Sequence, residues 1–236
     1  MNTGVPGFLG VERSATGRRW RARLDDDRAA LGLAQRLGVP EIVARVLAAR
    51  GVDAEAAPAF LEPRLREQLP DPAHLKDMDA AASRLARAVQ GGETIAVFGD
   101  YDVDGATSSA LLNRFFTAAG GRVRVYIPDR QREGYGPNAP ALLRLKAEGA
   151  AVVVTVDCGI TAHVPLASAA EAGLDVIVVD HHIAEPRLPL ATAVVNPNRL
   201  DETTPHRQLA AVGVTFLLAV AVNRKLREAG WYAARA

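Results

Sequence analysis

Three short stretches of this chain carry residues that could do chemistry. Gly99-Asp100-Tyr101-Asp102-Val103-Asp104-Gly105 alternates carboxylates, Asp157-Cys158-Gly159 adds another, and Asp180-His181-His182 joins a carboxylate to two imidazoles. Closely spaced aspartates repel one another, which raises carboxylate pKa values and opposes folding. A bound divalent cation reverses that repulsion. Carboxylate oxygens with one or two histidines suit Mn²⁺ or Mg²⁺, and the histidines tilt the choice toward Mn²⁺. Two such ions about 3.5–4 Å apart could activate a water and hold phosphate oxygens. The expected chemistry is therefore metal-assisted reaction at phosphorus. Zinc fits less well, because the only thiol is Cys158.

Each stretch also has a plainer reading. Asp100 to Gly105 could be an Asx-rich turn capping the next helix, with Asp104 or Thr107 as the cap. His181 alone could be a satisfied buried histidine. Three acidic clusters at the same end of three strands argue against taking each in isolation.

The elements that must position these groups follow from the apolar pattern. Short helices are predicted over Arg28–Leu37, Glu41–Ala49 and Ala54–Leu61, and a longer amphipathic one over Asp79–Val89, stopped by Gly91-Gly92. From Thr94 the pattern alternates. Strands are predicted at Thr94–Phe98, Val123–Ile127, Ala151–Val156, Val176–Val179 and Val194-Val195. Helices are predicted at Gly105–Ala119, Ala139–Glu148, Val164–Ala172 and Leu209–Glu228. Near-continuous apolar strands between helices indicate an α/β fold: a Rossmann-like parallel sheet with helices on both faces, preceded by a small helical N-terminal region. No G-x-G-x-x-G loop follows the first strand, so no dinucleotide fingerprint is present. In such sheets ligands bind beyond the carboxyl ends of the strands, where all three clusters fall. The expected division is a helical cap and arm over residues 1–90 and the main domain over 91–236.

Other candidates are weaker. Thr107, Ser108 and Ser109 open a helix whose N–H groups could accept a phosphate, or their hydroxyls could merely cap. Arg130, Arg132 and Tyr135 sit in a charged loop and could clamp a phosphate or stack a base, or simply face solvent. Arg19 and Trp20, within Thr16-Gly17-Arg18-Arg19-Trp20-Arg21-Ala22-Arg23, could meet phosphates and stack a base, or form a solvated arm. His163 and His206 carry no clear signal.

Composition sets the outer bounds. The 236 residues are 49% apolar but only 5% aromatic, so Ala, Val and Leu must build the core. A net charge of +1 excludes a global positive field, leaving only local basic surface for nucleic acid. A lone cysteine excludes an intrachain disulfide and fits a reducing compartment. No apolar run reaches bilayer length and no leader-like segment opens the chain, so a cytoplasmic protein is expected.

The motif set resembles the DHH phosphoesterase superfamily, and more closely its bacterial RecJ family. The resemblance rests on Gly99 to Ser108, Arg132-Glu133-Gly134-Tyr135-Gly136, Asp157-Cys158-Gly159 and Asp180-His181-His182. Thr16 to Trp20, Leu75-Lys76-Asp77-Met78-Asp79 and Ala211-Val212-Gly213-Val214 add to it. It implies a 5′→3′ exonuclease specific for single-stranded DNA, using Mn²⁺ or Mg²⁺ as a pair of ions, in recombination and repair. It implies Asp102, Asp104, Asp157 and His181 as metal ligands. Asp100 would line the same site, Asp180 would support the histidines, and His182 would contact the scissile phosphate. Single-stranded DNA with a 5′ end, a single-strand-binding protein and a helicase are the implied partners. Phe98 stands where many superfamily members have a histidine, which argues against the small pyrophosphatase branch. The family pattern also has a further aspartate beyond the last helix, a second catalytic domain and an oligonucleotide-binding domain. The sequence stops at Ala236 before these, so one wall of a cleft is expected. Two alternatives stay open: an incomplete fragment that only binds metal or nucleic acid, and a phosphatase of short oligonucleotides or nucleoside bisphosphates.

Overall fold

Valine-rich runs and parallel register organise the main body. The computed structural model describes residues 6–24 and 26–233. They form two units, one ending at Leu69 and the other starting at Pro70. The first unit carries helices α1 (Asp27–Leu37), α2 (Glu41–Ala49), α3 (Ala57–Leu61) and α4 (Leu65–Gln68). Its small core gathers Leu33, Ala44, Leu47 and Ala57.

The second unit begins with α5 (Met78–Gln90) and continues with β1 (Thr94–Gly99), α6 (Val103–Ala118), β2 (Arg122–Tyr126), α7 (Arg130–Glu133) and α8 (Ala139–Ala147). It ends with β3 (Ala150–Val156), α9 (His163–Glu171), β4 (Asp175–Val179), β5 (Ala193–Val195) and α10 (Ala211–Glu228). All five strands are parallel in the order β2-β1-β3-β4-β5. This is a doubly wound sheet whose strand order reverses between β1 and β3, the switch point at which such folds bind ligands.

The strand pattern of period two sorts the core into two layers. Ile95, Val97, Val152, Val154, Val156, Ile177, Val179 and Val195 pack with Leu85 and Val89 of α5, Leu112 and Phe116 of α6, and Leu217 and Val222 of α10. Ala96, Phe98, Val153, Val176, Val178 and Val194 pack on the other face with Leu142 and Leu145 of α8 and Leu166 of α9. Helices on both faces are thus as expected, and the two compact units meet at Leu69/Pro70, upstream of the expected division near residue 90. The reason is α5: its Ala81, Leu85 and Val89 are buried in the sheet's own core, so it cannot belong to a separate cap. Among the described residues no helix is long and apolar enough to cross a membrane.

One buried cation braces the far side of the sheet. Arg199 donates to Asp77 at 2.7 Å, to the Val194 carbonyl at 2.7 Å and to Asp201 at 2.9 Å, tying the start of α5 to β5 and the loop beyond it. Hydrogen bonding to Arg199, with a further contribution from Lys76, pushes the Asp201 carboxyl down to about 2. A depressed folded-state pKa contributes stability that is complete above the unfolded value of about 3.9 and lost as pH falls toward 2. Asp201 is half exposed, so the contribution is below about 1 kcal/mol. We expect Asp201→Asn to lower the urea midpoint slightly at pH 7, with the difference shrinking as pH falls below 4. An undiminished difference at pH 3 would refute the tie.

Candidate metal centre

Strand register alone brings the acidic motifs into line. Gly99 pairs with Val156, Val156 with Val179, and Val179 with Val195. The residue after each is polar: Asp100, Asp157, Asp180 and Asn196. The ladder runs one step further, with Asp157 N–H donating to the Val179 carbonyl at 3.0 Å and Asp180 N–H to the Val195 carbonyl at 3.1 Å. Four polar groups therefore stand in one row along the carboxyl edge of the sheet.

Each carboxylate in the site is held differently. Asp102 is the N-cap of α6 and accepts from the N–H groups of Asp104 at 2.9 Å and Gly105 at 3.0 Å. Those bonds, the Gly105 one foremost, hold its carboxyl below the usual range. The cap is thus Asp102 and neither Asp104 nor Thr107. Gly105 is required by packing: a Cβ there would lie 2.4 Å from the Asp100 carbonyl oxygen. Asp104 reaches across to α10, whose own N-cap residue is Ala210 and offers no side-chain acceptor. Its two oxygens accept from Ala211 N–H at 2.8 Å and Val212 N–H at 2.7 Å.

Asp157 is the hub. It sits in the left-handed region, at φ 62°, and is 2% exposed. Non-glycine residues adopt that conformation at a cost of about 1–2 kcal/mol, and the fold holds it there. Burial first, then a hydrogen bond to Asp102 and the charges of Asp104 and Asp102, push the Asp157 carboxyl up to about 7. His181 Nε2 lies 3.3 Å from Asp157 Oδ1 and 3.6 Å from Asp104 Oδ2. Asp180 is 1% exposed and opposes its burial by accepting from His182 Nδ1 at 2.7 Å and Ile160 N–H at 3.0 Å. That contact raises the His182 pKa and turns its Nε2 away from Asp180. Cys158 is buried with its thiol pushed up by burial, so it takes no part.

The donor set fits a hard divalent ion. Ligand atoms of Asp157, His181 and His182 all lie within 4.8 Å of one another, as do those of Asp100, Asp102 and Asp157. The two groups share Asp157. Mixed carboxylate and imidazole donors match Mn²⁺ or Mg²⁺, and the raised pKa of Asp157 is that of a carboxylate cluster without its counter-charge.

The other expected residues divide. Arg130 lies over the ring of Tyr101 at 4.5 Å and that of Tyr135 at 5.2 Å, and the Tyr135 hydroxyl donates to the Asp157 carbonyl at 3.2 Å. Arg130 and Tyr135 thus join the site, together with Tyr101. Arg132 is exposed, with Asp129 at 3.6 Å as its acidic neighbour. Ser108 is corrected: it is fully buried within α6, so its hydroxyl cannot meet a phosphate. In the first unit, Arg19 pairs with Glu12 at 2.7 Å and Trp20 is half exposed. Sequence reasoning passed over Asn196 and Asn198. For Asn196 the signal was there: a polar residue directly after a valine strand, as at the three aspartates.

Comparison with known proteins agrees with this geometry. The profile of the DHH family, N-terminal domain, matches residues 94–233. The chain is 40% identical over 211 residues to the single-stranded-DNA-specific exonuclease RecJ of Bacillus subtilis, covering 89% of this chain and 27% of that protein. It is 37% identical to the RecJ of Escherichia coli, covering 82% of this chain and 33% of that protein. The crystal structure of RecJ from Thermus thermophilus in complex with Mn²⁺ superposes with a TM-score of 0.67 at 31% identity, over 86% of this chain and 28% of that one. The chain spans between about a quarter and a third of the length of these curated relatives. With the profile matched across the whole sheet and the Asp-His-His row in place, the chain belongs to the DHH family, and within it is similar to the N-terminal part of the RecJ exonucleases.

Proposed function

We propose that this chain carries the metal-binding wall of a 5′→3′ exonuclease that hydrolyses phosphodiester bonds of single-stranded DNA, acting in recombination and repair. The observation that carries the reading is the pair of ligand groups sharing buried Asp157 at the sheet's switch point. The named relatives support the substrate. Asp102, Asp104, Asp157 and His181 would hold Mn²⁺ or Mg²⁺, with Asp100 lining the same site. When bound, such ions lower the pKa of water and neutralise charge on phosphate oxygens.

The chain's own groups do the rest. Asp180 fixes His182 through Nδ1, so that Nε2 faces outward and, in the imidazolium form, donates to a phosphate oxygen. Arg130, held by Tyr101 and Tyr135, presents its guanidinium beside the same site, where it can meet a phosphate. Trp20 and Arg19 supply a stacking surface and a cation in the first unit, and exposed Arg132 adds charge. A DNA substrate is consistent with a cytoplasmic setting, where a single-strand-binding protein and a helicase would be its partners.

The test is mononucleotide release from 5′-phosphorylated single-stranded DNA in Mn²⁺ and in chelator, with Asp102→Ala beside the wild type and calorimetry for Mn²⁺. Mn²⁺-dependent release that Asp102→Ala abolishes is the expected result. Mn²⁺ binding without release would favour a second reading, a site that binds ion and strand without turnover. Release that persists in chelator, or a chain that binds no Mn²⁺, would overturn the proposal.

A further inference from the structure

The Asp-His-His loop lies between β4 and β5 and has no regular secondary structure, yet all four of its histidine backbone groups are fixed. The N–H groups of His181 and His182 donate to Asp180 Oδ1 at 2.7 Å and 3.2 Å. The His181 carbonyl accepts from Asn198 Nδ2 at 2.6 Å, and the His182 carbonyl from Asn196 Nδ2 at 3.0 Å. Asn196 is fully buried and its other atom is also used, Oδ1 accepting Asn198 N–H at 2.7 Å. Buried Pro197 locks the backbone between the two asparagines. The next residue is Arg199, itself anchored to Asp77 and Val194.

A peptide plane cannot rotate without swinging the side chains on either side of it. Two carboxamides that seize successive carbonyls therefore set the aim of both imidazoles. The chemistry requires amides here. A carbonyl oxygen needs a donor, and an aspartate of the same shape would set lone pair against lone pair.

We propose that Asn196 and Asn198 are positioning residues of the metal centre, holding the His181 and His182 carbonyls so that both imidazoles keep the orientation a metal ion and a phosphate require. This rests on the metal-site reading above. Groups that orient metal ligands typically account for 10–100-fold in affinity or activity.

Asn198 is partly exposed, so its variants should fold. Asn198→Ala removes the donor, and Asn198→Asp inverts it without changing shape. The added negative charge of the aspartate would by itself strengthen cation binding, so weakening in both variants isolates geometry. In the 236-residue chain we expect both to raise the Kd for Mn²⁺ by about tenfold. In the metal-free chain the ¹⁵N-labelled imidazole signals of His181 and His182 should shift or split. Val89→Ala, in the core of α5, should lower the thermal midpoint yet keep wild-type Mn²⁺ affinity and imidazole signals. Wild-type affinity and unchanged imidazole signals in both Asn198 variants would overturn the proposal while leaving the metal site standing. A wild type that binds no Mn²⁺ would overturn both.

Discussion

Asp157→Asn should make the metal-free chain more stable while removing its response to Mn²⁺. Asp157 is buried and close to Asp102 and Asp104, and its charge is opposed by that burial and by both neighbours. An amide keeps the shape and removes the repulsion. It also suits the backbone, since asparagine is enriched at positive φ and residue 157 sits at 62°. Removing a charge whose carboxyl is held at about 7 rather than about 3.9 should stabilise by roughly 1–4 kcal/mol near pH 7, or about 3–12 °C in a chain of this size. The wild type should instead gain stability as Mn²⁺ is added, because the ion binds only the folded state. Thermal unfolding in chelator and across a Mn²⁺ series reads both effects. A variant that melts below the wild type in chelator would show that the carboxylates are not in conflict.

Asp104→Ala should do the opposite to the metal-free chain. Both Asp104 oxygens accept N–H groups at the start of the 18-residue α10, and Ala211 there is fully buried. Removing the carboxylate strips a helix of its N-terminal acceptor and leaves donors without partners. The loss should be roughly 2–4 kcal/mol, from the missing cap and the two charge-assisted bonds. Mn²⁺ affinity should fall as well. Asp104→Asn, which keeps one acceptor oxygen, should lose about half as much stability. The two aspartates are therefore told apart in chelator: one substitution raises the midpoint and the other lowers it. Equal midpoints for wild type and Asp104→Ala would show that the last helix does not depend on this contact.

Much of this was legible in the chain because it is local. Ala151–Val156 and Val176–Val179 announce buried strands by composition, and the residue after each names a site position. Asp104 was placed with the metal ligands on motif alone, and its bond to α10 spans 107 residues of sequence, beyond any spacing rule. Asn198 acts on a carbonyl, which carries no side-chain signature. The Ser108 expectation failed because helix phase turned it inward, where the hydroxyl finds no partner. α5 shows one apolar stripe whichever layer it covers, so its sequence does not say whether it packs with the N-terminal helices or on the sheet. The short α7 over Arg130–Glu133 reads as loop in the sequence, since four residues give too little periodicity to detect.

The aligned strand ends make the sheet a ruler for its own assembly. A strand displaced by a single residue would turn its valines to the wrong face and carry its carboxylate about 3.3 Å out of the row. A chain folded in the wrong register would thus show two faults together: a disrupted core and a dispersed ligand set. Capture of a divalent ion then reports more than a binding site. On the proposed reading it would report that β1, β3 and β4 closed in the right frame, a check that is lost without the ion.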